Sequence, residues 1–161
     1  MCTGTAEIIP PPCYYAKSFE AFLREDKEIS WCLYQLQIHQ CQRIVDSIRE
    51  GTVTAVSDGS YKDTFGTAAW VLLAEETVAY ITGCMLYPGA ARDHSSYRSI
   101  LDGLYSVLTV TSKMYEYYNM QEGGITIGCD GLSTLDTSLH NELVLASDVS
   151  NFDLVRAIYA L

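Results

Sequence analysis

The chain has 161 residues, a formal net charge of −10 at pH 7 and a hydrophobic content of 48%. This length is typical of one domain that can bury a core of its own. The 20 acidic side chains outnumber the 10 basic ones, which disfavours tight, autonomous binding of nucleic acid, because phosphate backbones are bound by lysine and arginine. A brief encounter bridged by a divalent cation remains open. No apolar run of about 18 residues is present, so we expect no membrane span.

The cysteines and the N-terminal residues favour an intracellular protein. Cysteines occupy positions 2, 13, 32, 41, 84 and 129. They include no C-x-x-C pair and no histidine lies at zinc-finger spacing, so a zinc site is not expected. The opening residues, MCTGTAEIIPPP, lack the basic start and the apolar stretch of a secretion signal. We therefore expect reduced cysteines and a location in the cytoplasm or the nucleus.

The first 51 residues are predicted to precede the main domain. Residues 1–29 are interpreted as a tail with a short helix within residues 17–27. Residues 30–51 are predicted to form a connecting amphipathic helix, because apolar side chains recur there every three or four residues. Ser30 would cap this helix at its N-terminus, and Gly51 would end it.

From residue 52 onwards the apolar pattern changes to that of β-strands. Three runs rich in β-branched and aromatic residues, TVTAVSDGSY, FGTAAWVLLAE and TVAYITGCML, are separated by short turn signals. Connections this short require antiparallel neighbours, so we expect a three-stranded antiparallel meander. A helix from about residue 95 to residue 118, capped by Ser95 or Ser96, is predicted next. The run ITIGCD then predicts a fourth strand, expected to be parallel to a neighbour because a helical crossover leads to it. GLSTLDTSLHN and NFDLVRAIYAL predict two further helices.

Two aspartates, Asp58 and Asp130, each follow an apolar strand-like run where it meets a glycine. A carboxylate in such a place lies at the rim of a sheet. Two such acids brought together repel each other, and a divalent cation relieves that repulsion. A cluster of acids can hold two Mg²⁺ ions that clamp both oxygens of a phosphoryl displacement. The alternative is that each aspartate caps a turn through its own side chain, and spacing alone favours this alternative.

Three motifs, in order on strand, helix and strand, resemble the ribonuclease H (RNase H) family. They are VSDGSYKDTFGTAAWVL, SSYRSILDGLYSVL and ITIGCDGLSTL, and they are similar to the form found with retroelement (retrotransposon) reverse transcriptases. The resemblance covers residues 52–161, which we interpret as an RNase H-like domain. It implies an α/β fold with a mixed sheet in 3-2-1-4-5 order, in which three antiparallel strands are followed by a parallel fourth, with flanking helices on both faces. It also implies four acids that bind two Mg²⁺ ions and hydrolyse the RNA strand of an RNA/DNA hybrid.

The resemblance assigns two of those four acids. Asp58 matches the acid of the first strand and Asp130 the acid of the fourth, each as a catalytic metal ligand that positions the attacking water and the scissile phosphate. The helix motif of the retroelement form carries glutamate where this sequence has Ile100. Asp102 lies about 200° further around the helix and is expected to point largely to solvent. The helix is therefore expected to supply no metal-binding acid.

The end of the sequence also departs from the family pattern. The family continues into a fifth strand and a last helix that bears the fourth acid, and both are expected to be missing here. Asp148 and Asp153 are candidate replacements, although Asp153 fits a first helical turn, where it favours the helix dipole. With two ligands in place, Mg²⁺ would keep mostly water and bind weakly. The sequence thus predicts an RNase H-like domain with little catalytic activity and an open sheet edge that favours self-association.

Two other functions stay open on the sequence alone. An active metal-dependent nuclease would need a third acid that the resemblance does not identify, such as Asp148. A non-catalytic protein-interaction module would fit the acidic surface and the open sheet edge.

Overall fold

A computed structural model describes residues 17–86 and 95–129, which contain one mixed β-sheet and three α-helices. In chain order the elements are α1 (Phe19–Glu25), β1 (Tyr34–His39), α2 (Cys41–Glu50), β2 (Val53–Lys62), β3 (Phe65–Ala74), β4 (Ala79–Leu86), α3 (Ser96–Tyr117) and β5 (Ile125–Cys129). Short 3₁₀ turns precede β1 and join β3 to β4. The two helices predicted after residue 130 lie outside the described residues.

The sheet has the strand order β1-β4-β3-β2-β5. Strands β2, β3 and β4 pair in an antiparallel meander, and β1 adds to the far edge of β4, also antiparallel. Strand β5, reached through α3, pairs with β2 in parallel. The predicted α/β class, the meander and the parallel crossover strand are therefore confirmed.

The helix predicted over residues 30–51 is wrong in its first half. Residues Tyr34–His39 form strand β1, and α2 begins only at Cys41. Leu36 is buried and Ile38 is half-buried, while Gln37 and His39 are exposed, so this short run satisfies the alternation of a strand as well as the spacing of a helix. Between the two elements Gln40 adopts a left-handed conformation with φ 54°, which interrupts any continuous helix.

The ends of the helices agree better with the sequence. Gly51 ends α2 as predicted, in a left-handed conformation with φ 72°, and its amide donates to the carbonyl of Ile48. Helix α3 begins after Ser95, whose hydroxyl accepts a hydrogen bond from the amide of Arg98 at 3.0 Å. The helix predicted from about residue 95 to residue 118 is thereby confirmed.

Helices α2 and α3 pack on one face of the sheet, which we call the inner face, and α1 packs on α3. Alternate residues of β2, β3 and β4 are buried there, and register pairs such as Ala55 with Leu72, and Leu72 with Ile81, place them on the same side. These side chains form one cluster with buried residues of α1, α2 and α3. The Trp70 indole donates a hydrogen bond to the Cys32 carbonyl at 3.0 Å, which ties the segment before β1 to this face. None of the described helices covers the opposite, outer face.

Helix α1 and the residue that follows it pack against the C-terminal half of α3. The rings of Phe19 and Phe22 each lie 5.3 Å from the ring of Tyr117. The Lys113 ammonium lies 2.9 Å from an Asp26 carboxylate oxygen and 3.0 Å from one of Glu116. This contact raises the pKa of Lys113 and lowers the pKa of Asp26. Described residues before β2, such as Phe19 and Leu23, thus belong to the same packed cluster as the rest of the described chain.

Helix α3 is buried along most of its circumference, and its sheet-facing side is built from small residues. A Cβ added to Gly103 would lie 3.2 Å from the Cβ of Ser57, and the Ser106 hydroxyl lies 3.7 Å from the sulfur of Met85. The larger apolar side chains of Leu101 and Leu104 are fully buried. By helical geometry they lie about 140° to 200° around the helix from Ser99. The helix backbone therefore sits close to the sheet, with its bulky side turned to other elements.

Candidate functional site

Asp58 lies in the interior of β2 and presents its carboxylate on the outer face. Strand β2 continues past it to Lys62, so the expectation that the strand ends at Asp58 is wrong. Its neighbours Ser57 and Gly59 face α3, and successive side chains of a strand point to opposite faces. The carboxylate is exposed, and it makes no hydrogen bond or ion pair with a described residue. The turn-capping role that spacing alone favoured is therefore wrong for Asp58.

The second predicted acid, Asp130, lies outside the described residues. The described part of β5 ends at Cys129, one residue earlier. In the parallel register Cys129 is the partner of Ser57, which directly precedes Asp58. The residues immediately before the two aspartates are thus neighbours on adjacent strands.

Ile100, which occupies the position of the expected helix acid, lies directly against β2. A Cβ added to Gly59 would lie 2.3 Å from both the amide nitrogen of Ile100 and the carbonyl carbon of Ser99. Only a residue without a side chain allows so close an approach of strand and helix backbones. The first turns of α3 therefore touch the strand at the residue that follows Asp58.

The prediction that Asp102 points largely to solvent is wrong. Asp102 is only 4% exposed. Ser99 and Gly103 lie on the side of α3 that faces the sheet. Viewed along the helix axis, Ile100 and Asp102 lie about 80° from that side, in opposite directions. Asp102 is buried because α3 is covered on that flank as well. Its carboxylate therefore lies on the side of α3 away from Ile100 and does not take the place of the missing acid.

The described residues offer few metal ligands. Within residues 17–86 and 95–129, no group of three or more histidine, cysteine, aspartate or glutamate side chains is placed to hold a metal ion. Asp58 fits Mg²⁺ as a hard, exposed oxygen donor, whereas Ile100 has no donor atom. Asp130, Asp148 and Asp153 lie outside the described residues. The Mg²⁺ site therefore stays a prediction.

Two of the described cysteines are buried in the core or at its edge. Cys32, Cys41 and Cys84 are free thiols. Burial raises the pKa of Cys32 to about 12 and also raises the pKa of Cys41. Because the thiolate is the reactive form, burial disfavours reaction at both groups.

No family model matches the sequence, and comparisons with curated proteins and with solved structures find no match. In the described part of the chain, no helix combines the length and the hydropathy needed to cross a membrane. The RNase H resemblance therefore rests on its three motifs and on how their positions fit the sheet.

Proposed function

We propose that this chain is an RNase H-like nuclease domain of the retroelement type whose catalytic site has lost its helix acid. Its relatives by resemblance hydrolyse the RNA strand of RNA/DNA hybrids with Mg²⁺, and this chain would do so weakly or not at all. The strand order β4-β3-β2-β5 supports the proposal, because it corresponds to the 3-2-1-4 part of the order that the resemblance implies. Strand β1 is an additional strand that pairs with the free edge of β4.

The register of β5 on β2 is the observation that carries the proposal. Ser57 and Cys129 are parallel partners. Neighbouring strands lie about 4.8 Å apart, so a register that continued for one residue would set Asp130 beside Asp58 on the outer face. Two adjacent carboxylates repel each other, and a bound divalent cation stabilises both. When bound there, Mg²⁺ would supply electrostatic stabilisation of a phosphoryl displacement.

The contact between Gly59 and Ile100 supports the loss of activity. The backbone at position 100 lies against Gly59, the residue that follows Asp58. A glutamate at this position would start from the backbone beside Gly59, one residue from Asp58, and would extend its carboxylate past β2 towards the outer face, whereas isoleucine cannot bind Mg²⁺ or orient a water molecule. Asp58 would then hold a metal ion together with Asp130 alone, and most of the remaining ligands would be water.

Restoring the acid tests this proposal. Ile100→Glu is expected to raise cleavage of a labelled RNA/DNA hybrid in Mg²⁺ above that of the natural chain, with RNA as the cleaved strand. Ile100→Gln is the matched control, because it has the same shape without the charge and should give no gain. Adding Asp58→Asn to Ile100→Glu should remove the gain. No gain from Ile100→Glu at any metal concentration would contradict the proposal.

A second candidate is a non-catalytic protein-interaction module. It is favoured by the outer face, where Val56 is 41% exposed and Phe65 is 69% exposed. This function predicts a molar mass by light scattering that rises with protein concentration and falls back in Val56→Ser. It also predicts that Ile100→Glu gains no cleavage.

A further inference from the structure

The outer side of the β2–β3 hairpin carries a row of side chains that continues from Asp58. In register, Asp58 pairs with Ala69, Ser60 with Thr67 and Lys62 with Phe65. Paired residues point to the same face, so this row lies on one side of the ribbon. We call it the outer ribbon, and its members are Asp58, Ser60, Lys62, Phe65 and Thr67. It runs from a carboxylate, past two hydroxyl groups, to an ammonium group beside an aromatic ring.

The tip of the hairpin is held in a defined conformation. Asp63 and Thr64 are the two loop residues, and both have positive φ, 50° and 72°. Such a pair is typical of a type I′ turn, whose twist matches that of the two strands. Lys62 and Phe65 are therefore held side by side at the end of the ribbon.

The two side chains at the tip are available for a partner. Phe65 is 69% exposed, although phenylalanine is usually buried. Lys62 is exposed and makes no ion pair with a described residue, whereas Lys17, Arg24 and Lys113 are each paired with a carboxylate. An unpaired ammonium beside an exposed ring in an otherwise acidic chain is complementary to a ligand that has both negative charge and flat aromatic groups.

The length of the outer ribbon also fits such a ligand. Lys62 lies four residues beyond Asp58 on the same strand, which corresponds to about 13 Å. Between them, the hydroxyls of Ser60 and Thr67 can donate hydrogen bonds to phosphate oxygens. An aromatic ring that stacks on a base and a cation that contacts a phosphate are the usual means of binding a single polynucleotide strand.

We propose that the outer ribbon binds one polynucleotide strand, with a base stacked on Phe65 and a phosphate on Lys62, and leads that strand to Asp58. The inference rests on the proposed function, because it takes Asp58 as the place where the strand meets the metal-binding acids. It adds the surface that receives the nucleic acid and the direction in which the strand lies. Since one lysine supplies the charge, binding is expected to be weak and sensitive to salt.

The test is fluorescence anisotropy of a labelled single-stranded oligonucleotide with the full chain, in EDTA so that no cleavage occurs. Phe65→Ser should weaken binding by about 5-fold to 150-fold, the range expected for loss of one stacked base. Lys62→Gln should lower the slope of log affinity against log salt by about 0.7, the value for one phosphate contact on a single strand. Both side chains are exposed, so neither change should alter the melting temperature.

Two matched controls belong to this test. Val78 is 68% exposed and lies beyond the other end of β3, so Val78→Ser removes a similar apolar group far from the outer ribbon. Lys27 is an exposed lysine before β1, so Lys27→Gln makes the same change of charge elsewhere. Neither control should change the affinity or the salt slope.

Three outcomes would overturn the inference. They are undetectable binding by the natural chain, unchanged binding in Phe65→Ser, and an unchanged salt slope in Lys62→Gln. If unchanged binding in Phe65→Ser comes with a lower concentration-dependent mass, the ribbon is a protein contact. The outcome for the nuclease is separate. If Phe65→Ser weakens binding but Ile100→Glu gains no cleavage, the nuclease assignment fails and the polynucleotide surface stands.

Discussion

The two faces of the sheet differ in what their side chains do. The inner face is packed against α2 and α3, and residues such as Leu72 and Ile81 are fully buried there. The outer face is covered by none of the described helices and carries Asp58, Lys62 and Phe65 in exposed positions. Strands β2, β3 and β4 contribute to both faces, because their side chains point alternately to one face and to the other.

This difference separates stability from chemistry along each strand. Ser57 and Gly59 hold β2 against α3, while Asp58 between them is exposed on the other face. A substitution can therefore remove a candidate functional group without disturbing the core, or disturb the core without touching that group. Substitutions on the two faces test this separation, and those in the core should change stability most.

Adjacent leucines of β3 give the largest contrast. Leu72 is fully buried on the inner face, whereas Leu73 is half-buried on the outer face. Leu72→Ala should lower the free energy of unfolding by about 2–5 kcal/mol, because it leaves a cavity in a packed core. Leu73→Ala should cost about 1 kcal/mol, since much of its surface is already in contact with water. Urea denaturation measures both, and equal losses would remove the distinction between the faces.

Gly59 tests how closely α3 approaches the sheet. In Gly59→Ala the new methyl group would lie 2.3 Å from the backbone of Ser99 and Ile100, so helix and strand must move apart. We expect a loss of about 1–3 kcal/mol in the free energy of unfolding, the usual cost of overpacking. Gly124→Ala is the control, because no atom lies within 4 Å of the added methyl group. A Gly59→Ala protein as stable as this control would show that the close contact is absent.

The contact between Asp26 and Lys113 gives a smaller, pH-dependent effect. The pKa of Asp26 is lowered, chiefly by the hydrogen bond from Lys113, so its stabilisation is present above the unfolded pKa and is lost as pH falls through the folded pKa. The pKa of Lys113 is raised, chiefly by Asp26, so its stabilisation is present below the unfolded pKa and is lost as pH rises through the folded pKa. Asp26→Asn should cost about 0.5–1 kcal/mol at neutral pH, a modest value because both side chains are partly exposed.

Unfolding experiments between pH 2 and pH 7 check this effect. The stability difference between the natural chain and Asp26→Asn should shrink as the pH falls. Glu20→Gln removes the more exposed pair with Arg24 and should cost less. A stability difference for Asp26→Asn that stays constant down to acid pH would contradict the assigned contact.

The turn of the outer ribbon gives the smallest effect, in the stabilising direction. Thr64 is β-branched and has φ 72°, a conformation that costs most L-residues energy but not glycine. Thr64→Gly creates an Asp-Gly turn and should raise stability by about 0.5–1 kcal/mol, or about 1–4 °C in melting temperature. Thr54→Gly, inside β2, should lower it instead. A lower melting temperature for Thr64→Gly would contradict the left-handed turn.

Much of the fold could be predicted from the sequence, because its signals are local. The alternation in β2, β3 and β4 and the short turns between them fix a meander whatever the rest of the chain does. Strand β1 could not be predicted with the same security. Its six residues fit both a helical and a strand period, and its pairing with β4 depends on residues some 45 positions away.

The environment of α3 was missed for a different physical reason. Apolar periodicity indicates Leu101 and Leu104, whereas small residues, Ser99, Gly103 and Ser106, lie on the side that faces the sheet. Small residues at a spacing of three and four are a usable signal for close helix packing. The burial of Asp102 follows from that packing and not from its own residue type.

The candidate site was predictable in part. The position of Asp58 on a strand followed from the pattern, and its exposure on the outer face follows from the alternation. The contact of Ile100 with β2 could not be predicted, because it depends on how closely two backbones approach at Gly59.

Binding of Mn²⁺, measured by electron paramagnetic resonance, is the decisive experiment for the lost helix acid. In our proposal, position 100, whose backbone touches Gly59 next to Asp58 in the chain, lacks only a ligand atom. We expect weak binding in the natural chain, at least about tenfold tighter binding in Ile100→Glu, and loss of the gain when Asp58→Asn is added. Equal affinity in the natural chain and Ile100→Glu, or a gain that survives Asp58→Asn, would contradict the account.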